Sequence, residues 1–468
     1  MTRLALLWRL ARLLTVIGLT GLGLTGDSPS ATMATLGLLE VKKGQMQNAR
    51  PAGPGAAVPD SSASRFSLAN LFESPPSPQR MLALEGMRGV AALMVFFVHF
   101  YALLGLYSRP DSWLHSATHF AGIVGNVGVD IFFVISGFLM YGIVMRKPTP
   151  FLTYFARRIR RLYPVFLFVF AVYVVLSYVA PVESRIPQST KTAAEYLAMN
   201  LAMLPGMLPM IPLIRVAWSL SYEWFYYLIL PLSIWGLRLR RWYPGWRIGL
   251  VLAACVAQYV LCTMHRSAHP RLVMFGAGAV LWELATYYGI SRFLGPRGEL
   301  FSIALVLFSL GWMGFAAKYH LGLALNQAGI PSVNTPLMFI AFFALSLYSL
   351  CYDGALKRFF SIDWLRWMGN ISYSYYLIHG LTLHFVAKLM RYLIGTPILP
   401  VPLFLLMGGT SLLVTIIVGA LLYLAVEKPL SLASPKQAAK DQGRGAVPVP
   451  VVPSEIQQLE PARRPAAD

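Results

Sequence analysis

Charge is what this chain lacks. Only 12% of its 468 residues are Asp, Glu, Lys or Arg, against about 25% in ordinary soluble domains. With 57% hydrophobic residues, no water-soluble fold of this length could bury what it would have to bury. Cysteine is also scarce. The three present, Cys255, Cys262 and Cys351, lie in apolar stretches. Cys255 and Cys262 fall two turns apart on one helix, too far to bridge, so no disulfide framework is expected. Acidic residues are few as well, 19 against 39 Lys and Arg, for a net charge of +20. That balance does not point to nucleic acid, because the cations cluster in short loops between apolar runs, where they set orientation and meet lipid phosphates. No heptad repeat occurs, and no matched pair of broken spans of the inverted-repeat transporter kind.

What is there is a succession of apolar runs, each long enough to cross a bilayer. The reading is an all-α, polytopic integral membrane protein of about ten transmembrane helices, near 86–107, 121–144, 162–181, 218–237, 247–264, 271–290, 300–317, 336–352, 369–390 and 402–425. The segments RKPTPFLTYFARRIRR, RLRRWYPGWR, SRFLGPRGE and DGALKRFFSIDWLRW hold fifteen Lys or Arg. They follow every second span and read as cytoplasmic loops, which places both termini in the cytoplasm. Residues 1–80 read as a linker-like extension. A basic start and the short apolar LLTVIGLTGLGL resemble a signal-peptide core, but the loop charges argue for a linker or for a true start at Met81. Residues 81–432 form the membrane domain, and 433–468 read as a disordered cytoplasmic tail.

Ionisable groups inside a membrane are costly and mark function. Arg88 and His99 are eleven residues apart in RGVAALMVFFVH, hence on one helix face and ~16 Å apart along it. Arg88 is expected at the cytoplasmic mouth, with Glu85 as its neighbour one turn earlier, and His99 beyond the midplane. Asp130 in the second span should reach the depth of His99 and orient its imidazole. Ser219 and Glu223 share a face of the fourth span, where Trp218 suits an interfacial belt. Ser372, Tyr376 and His379 form a polar stripe on the ninth. Ser136 sits beside Gly137 where helices can approach closely. Two histidines and two carboxylates are thus expected to converge from four helices. Arg157, Arg158 and Arg161 have the density to bind the phosphates of coenzyme A. His115/His119 and His265/His269 have the spacing of a metal pair but no acidic partner, and read as loop histidines; no metal is expected.

Six segments, LEGMRGVAALMVFFVH, GNVGVDIFFVISGFLM, RRIRRLYPVF, WSLSYEWFYY, ISYSYYLIHG and VEKPL, together resemble the acyltransferase 3 family of integral membrane acyltransferases, in order and over residues 82–430. The resemblance implies transfer of an acyl group, acetyl in the simplest case, from cytoplasmic acyl-CoA to a hydroxyl of a carbohydrate or glycolipid, in a bacterial cytoplasmic (inner) membrane. It maps the family's essential Arg-x10-His pair onto Arg88 and His99, and the chain resembles the stand-alone form without an appended hydrolase-like domain. On this reading His99, Asp130 and Glu223 are catalytic. Arg88, Arg157, Arg158 and Arg161 bind the donor; Ser136, Trp218, Ser219, Ser372, Tyr376 and His379 face the acceptor or the oxyanion. The competing reading is a proton-coupled multi-pass transporter, since buried histidines and carboxylates also build proton relays.

Overall fold

A computed structural model describes residues 71–73, 80–208, 210–265, 270–319 and 334–432. Among them the secondary structure is helical, without strands. The helices are α1 (Leu82–Leu104), α2 (Trp113–Gly125), α3 (Gly128–Arg146), α4 (Phe151–Val179), α5 (Thr190–Leu201), α6 (Trp218–Gly236), α7 (Pro244–His265), α8 (Val273–Tyr287), α9 (Pro296–Lys318), α10 (Asn334–Cys351), α11 (Ala355–Phe360), α12 (Asp363–Asn370), α13 (Ser372–Ile394) and α14 (Val401–Leu422), the last continued by a π-helical segment, Tyr423–Leu432. Each of the ten expected spans falls on one of the long helices. Seven described stretches are long and apolar enough to cross a membrane, with mean hydropathy between 1.5 and 2.3. The chain is an all-α membrane protein.

The described residues up to 174 and from 185 onward group into one compact unit, whereas 175–184 fall in a second. In that second group, the end of α4 closes with Ala180 N–H on Leu176 O at 2.9 Å. The N-terminal apolar run, the tail beyond Leu432 and His269 lie outside the described residues.

Three boundaries differ from the sequence reading, each for a local reason. The second span begins early, as α2, because Ser112 caps it by accepting the His115 N–H at 3.1 Å. His115 and His119 are therefore helical, not loop residues; both rings lie against Tyr101, and His115 Nδ1 bonds Ser108 Oγ at 2.9 Å. The arginine-rich segment after α3 is not a loop either. Pro150 precedes α4 and its carbonyl accepts Tyr154 N–H at 3.0 Å, so Arg157, Arg158 and Arg161 lie along the first turns of a 29-residue helix. The basic segment after α10 is helical too, as α11 and α12, both packed on α1.

Close approach of α3 and α8 makes the centre of the bundle. A Cβ on Gly137 would overlap the Phe275 backbone, and one on Gly278 would overlap the Val134 carbonyl. Only a residue without a side chain lets two backbones approach this far, as small residues do between membrane helices. The buried rings of Phe133 and Phe275 stack beside that contact at 4.6 Å. α1 and α13 also pack on one another, which brings Arg88, His99, Ser372 and His379 into one neighbourhood.

Candidate active site

A cavity of about 770 Å³, counting its open mouth, lies between α1, α3, α4, α6 and α13. Of the residues singled out from sequence, Arg88, Ser136, Arg161, Ser219, Glu223, Ser372 and Tyr376 line it; Phe132, Tyr227 and Tyr373 are added by the fold. Arg88 and Arg161 form its cationic part. Neither has a carboxylate within ion-pair distance among the described residues, although Glu85, Glu223 and Glu427 act on Arg88 electrostatically. Glu85 does not pair with Arg88, contrary to the expectation from spacing. It bonds Arg80 at 2.7 Å and Arg366 at 3.3 Å, because α12 lies against the start of α1 and carries Arg366 to it.

The acidic member is Glu223. It accepts a hydrogen bond from Ser136 Oγ at 3.1 Å and a short one from the Tyr227 hydroxyl. Tyr227 in turn lies under the Arg158 guanidinium, 5.7 Å from its centroid. Arg158 thus borders the cavity through its aromatic neighbours and does not line it, and its buried Nε has no partner among the described residues. Arg157 is exposed on the far face of α4.

At the other end the cavity stops at Tyr376 and Ser219, whose hydroxyls bond at 2.7 Å, with the Phe132 ring edge-on to Tyr376 at 6.1 Å. Beyond this layer lie the two histidines. The His379 ring is 5.9 Å from Tyr376 and 5.0 Å from His99. His379 is fully buried, and its Nδ1 sits 2.8 Å from Tyr376 O and 3.1 Å from Tyr375 O. A carbonyl can only accept, so Nδ1 carries the proton and Nε2 presents a bare lone pair. That Nε2 has no partner among the described residues. His99 is half-buried.

Asp130 is not the partner of His99. Its carboxylate, 1% exposed, is held by Arg271 Nε at 2.7 Å. Arg271 also donates to Asn126 Oδ1 at 3.1 Å and Asn126 O at 2.5 Å, and lies 5.5 Å from the Trp218 ring. The physical reason is competition: a buried carboxylate within reach of a guanidinium gains more from a charge-assisted pair than from an imidazole. The expected convergence of two histidines and two carboxylates is therefore a histidine pair, one carboxylate across the Tyr376 layer, and one carboxylate spent on a latch joining α3, α6 and α8. Trp218 belongs to that latch and does not line the cavity. Sequence reasoning passed over Arg271 because it stands at the edge of a span, where an arginine reads as an interfacial anchor; the lack of any other cation able to reach Asp130 was the available signal.

One further acid shapes the site. Glu427, of the VEKPL segment, accepts from Ser374 N–H at 3.1 Å and Ser374 Oγ at 2.6 Å. It caps the first turn of α13 and so fixes the stripe Ser372, Tyr376, His379. Ser372 Oγ is buried without a partner among the described residues.

The Acyltransferase domain family model matches residues 81–420 of this chain. Exopolysaccharide production protein ExoZ of Rhizobium meliloti (strain 1021) is 28% identical over 277 residues, 57% of this chain and 78% of that protein. Acyltransferase MdmB of Streptomyces mycarofaciens is 26% identical over 333 residues, 68% of this chain and 82% of the relative. O-acetyltransferase OatA of Staphylococcus aureus (strain NCTC 8325 / PS 47) is 25% identical over 381 residues, 77% of this chain and 58% of that protein. No solved structure matches.

Proposed function

This chain belongs to the Acyltransferase domain family and is a membrane O-acyltransferase, and on that premise we propose that it moves an acetyl group from acetyl-CoA in the cytoplasm to a hydroxyl of a surface carbohydrate or glycolipid. The observation that carries this reading is the position of one cavity. It has unpaired Arg88 and Arg161 on its wall and ends at the Tyr376–His379–His99 ladder. The names of the relatives, an exopolysaccharide production protein and an O-acetyltransferase, favour acetyl as the group and a polysaccharide as the acceptor. The membrane is the bacterial cytoplasmic membrane, with the arginine-bearing end of α4 inside.

The residues present suit the donor. Arg88, Arg161 and Arg158, whose Nε has no partner, are cations without an ion pair among the described residues, which leaves their donors for phosphate oxygens. The cavity between them and Tyr376 suits an extended chain ending in a thioester. The acyl donor supplies an activated carbonyl carbon. Ser219 and Tyr376, whose hydroxyls bond one another at 2.7 Å, turn an O–H from the Val216 carbonyl to the oxygen on which charge develops. His99 takes the proton of the acceptor hydroxyl as its oxygen attacks that carbon, and gives it to the departing sulfur as the C–S bond breaks. An ester and a free thiol result. His379, its ring orientation fixed by its bonds to the Tyr375 and Tyr376 carbonyls, keeps the neighbouring imidazole in place. Glu223, Ser136 and Ser372 position the donor arm, whereas Asp130 and Trp218 serve the latch.

The experiment follows labelled acetyl from acetyl-CoA in purified membranes. His99→Ala should abolish transfer while expression and membrane insertion persist; retained transfer removes His99 as the base. Proton flux into liposomes without any acceptor or thioester would instead support the transporter reading.

A further inference from the structure

Contacts across the cavity divide it into levels. Phe132, Ser136 and Met140 line it from successive turns of α3, and Ser219, Glu223 and Tyr227 from successive turns of α6. The Ser136–Glu223 bond, at 3.1 Å, joins the two helices at the middle level. One turn further from Tyr227, ~6 Å along either helix, Tyr376 meets Phe132 and Ser219 and closes the cavity. At this end the other lining residues of α3 and α6 are apolar: Val129, Phe133 and Leu220.

The side chains of this floor are held in different ways. The Tyr376 hydroxyl is tied to Ser219 Oγ at 2.7 Å and to the Val216 carbonyl at 3.1 Å. Phe133 is 2% exposed and stacks on Phe275 at 4.6 Å. Phe132 is held by packing alone, half-buried, with its ring edge-on to Tyr376 at 6.1 Å. Among the described residues it is the one partly buried apolar side chain that packs against both apolar clusters of the bundle. The first cluster includes Phe133 and Leu220. The second includes Phe96, Phe100 and Tyr375, and Tyr375 stacks on His379 at 5.3 Å. Phe132 therefore partitions the cavity from the apolar packing around the histidines. Unlike Tyr376, it makes no hydrogen bond whose loss would strand a partner.

We propose that Phe132 sets the length of the acyl group this protein transfers. A thioester whose oxygen meets the Tyr376 and Ser219 hydroxyls turns its acyl tail toward the remaining, apolar part of the floor, which the Phe132 ring fills. Acetyl fits in front of that ring; butyryl and longer chains need the space the ring occupies. This rests on the reading of the cavity as the site of the acyl donor. An apolar pocket discriminates between homologous chains by the volume it leaves them, and Phe132 is the floor residue whose trimming enlarges that volume without breaking a hydrogen bond or the Phe133–Phe275 stack.

The test compares transfer from acetyl-CoA and from butyryl-CoA in purified membranes holding the wild type, Phe132→Leu or Phe132→Ala. The ratio of the two kcat/KM values within one protein does not depend on how much of it is folded. The wild type should favour acetyl. Phe132→Ala should move the ratio toward butyryl about tenfold or more, since one misfitting methylene in an apolar pocket is worth about 10–200-fold, and Phe132→Leu should fall between. A wild type that uses both donors equally, or variants that leave the ratio unmoved, overturns the proposal. If Phe132→Ala transfers nothing, unfolding of the full-length protein in phosphatidylcholine nanodiscs decides, with CoA, acetyl-CoA or butyryl-CoA and no acceptor. Butyryl-CoA should then stabilise the variants beyond CoA but not the wild type; the same order of ligands in all three proteins overturns the proposal. Acetyl transfer by the wild type with an unmoved ratio removes Phe132 and leaves the acyltransferase reading standing. A wild type that neither uses any acyl-CoA nor is stabilised by one removes the donor reading, and the proposal with it.

Discussion

Asp130 provides the sharpest test of the site, because spacing assigns it to His99 and the fold assigns it to Arg271. The pair is buried to 1% exposure on both sides with a 2.7 Å contact. Removing one partner of such a pair strands the other charge in a medium without water and costs about 3–5 kcal/mol, or roughly two to four orders of magnitude in the folded population. Arg271→Gln loses more than the ion pair, since Arg271 also holds the Asn126 carbonyl at 2.5 Å and lies over Trp218. Asp130→Asn strands Arg271 instead. The double variant Asp130→Asn, Arg271→Gln leaves two neutral amides able to bond each other and should recover most of the loss, as exchange of a buried pair for uncharged groups often does. Unfolding in detergent gives the stability of all four proteins, and acetyl transfer is normalised to folded protein. Both single variants should unfold early, with specific activity retained in whatever remains folded. A double variant as stable as wild type but as inactive as His99→Ala would refute the latch and return Asp130 to the catalytic base.

Three further outcomes follow from other contacts. Glu427→Ala takes the acceptor from the Ser374 N–H and hydroxyl, bonded at 3.1 and 2.6 Å. It should lower the unfolding midpoint by an amount equal to about 1–3 kcal/mol, whereas Glu427→Gln keeps an acceptor and should behave nearly as wild type. Gly278→Leu forces a side chain into the Val134 carbonyl; it should cost about 1–3 kcal/mol or more and reduce the monodisperse fraction on size-exclusion chromatography, and unchanged behaviour would contradict the close α3–α8 approach. His379→Asn retains a donor for the Tyr375 and Tyr376 carbonyls but removes the bare nitrogen. Its fold should persist while transfer falls about tenfold or more, and full activity would show that the second histidine is only packing.

The stripe Ser372, Tyr376, His379 was visible in the sequence because a helix repeats every 3.6 residues and its polar members cannot face lipid. The pairing of Glu85 was misjudged because adjacency along one helix gives no view of α12, whose Arg366 arrives from far along the chain. The helical character of Arg157 to Arg161 was hidden by their charge, which reads as loop until Pro150 is recognised as the start of a helix.

Hydropathy alone determined that the chain is a helical membrane protein, since a bilayer leaves no other way to satisfy so many backbone groups in so apolar a sequence. Helical periodicity determined which polar residues turn inward together on any one helix. Which helices meet was decided only by tertiary packing, through glycine contacts such as Gly137 with Phe275 and Gly278 with Val134. That packing gave Asp130 to Arg271, left Arg88 and Arg161 without an ion pair among the described residues, and set His99 against His379. The reason is one of range: a charge takes the strongest partner within a few ångströms, and those neighbours come from elsewhere in the chain.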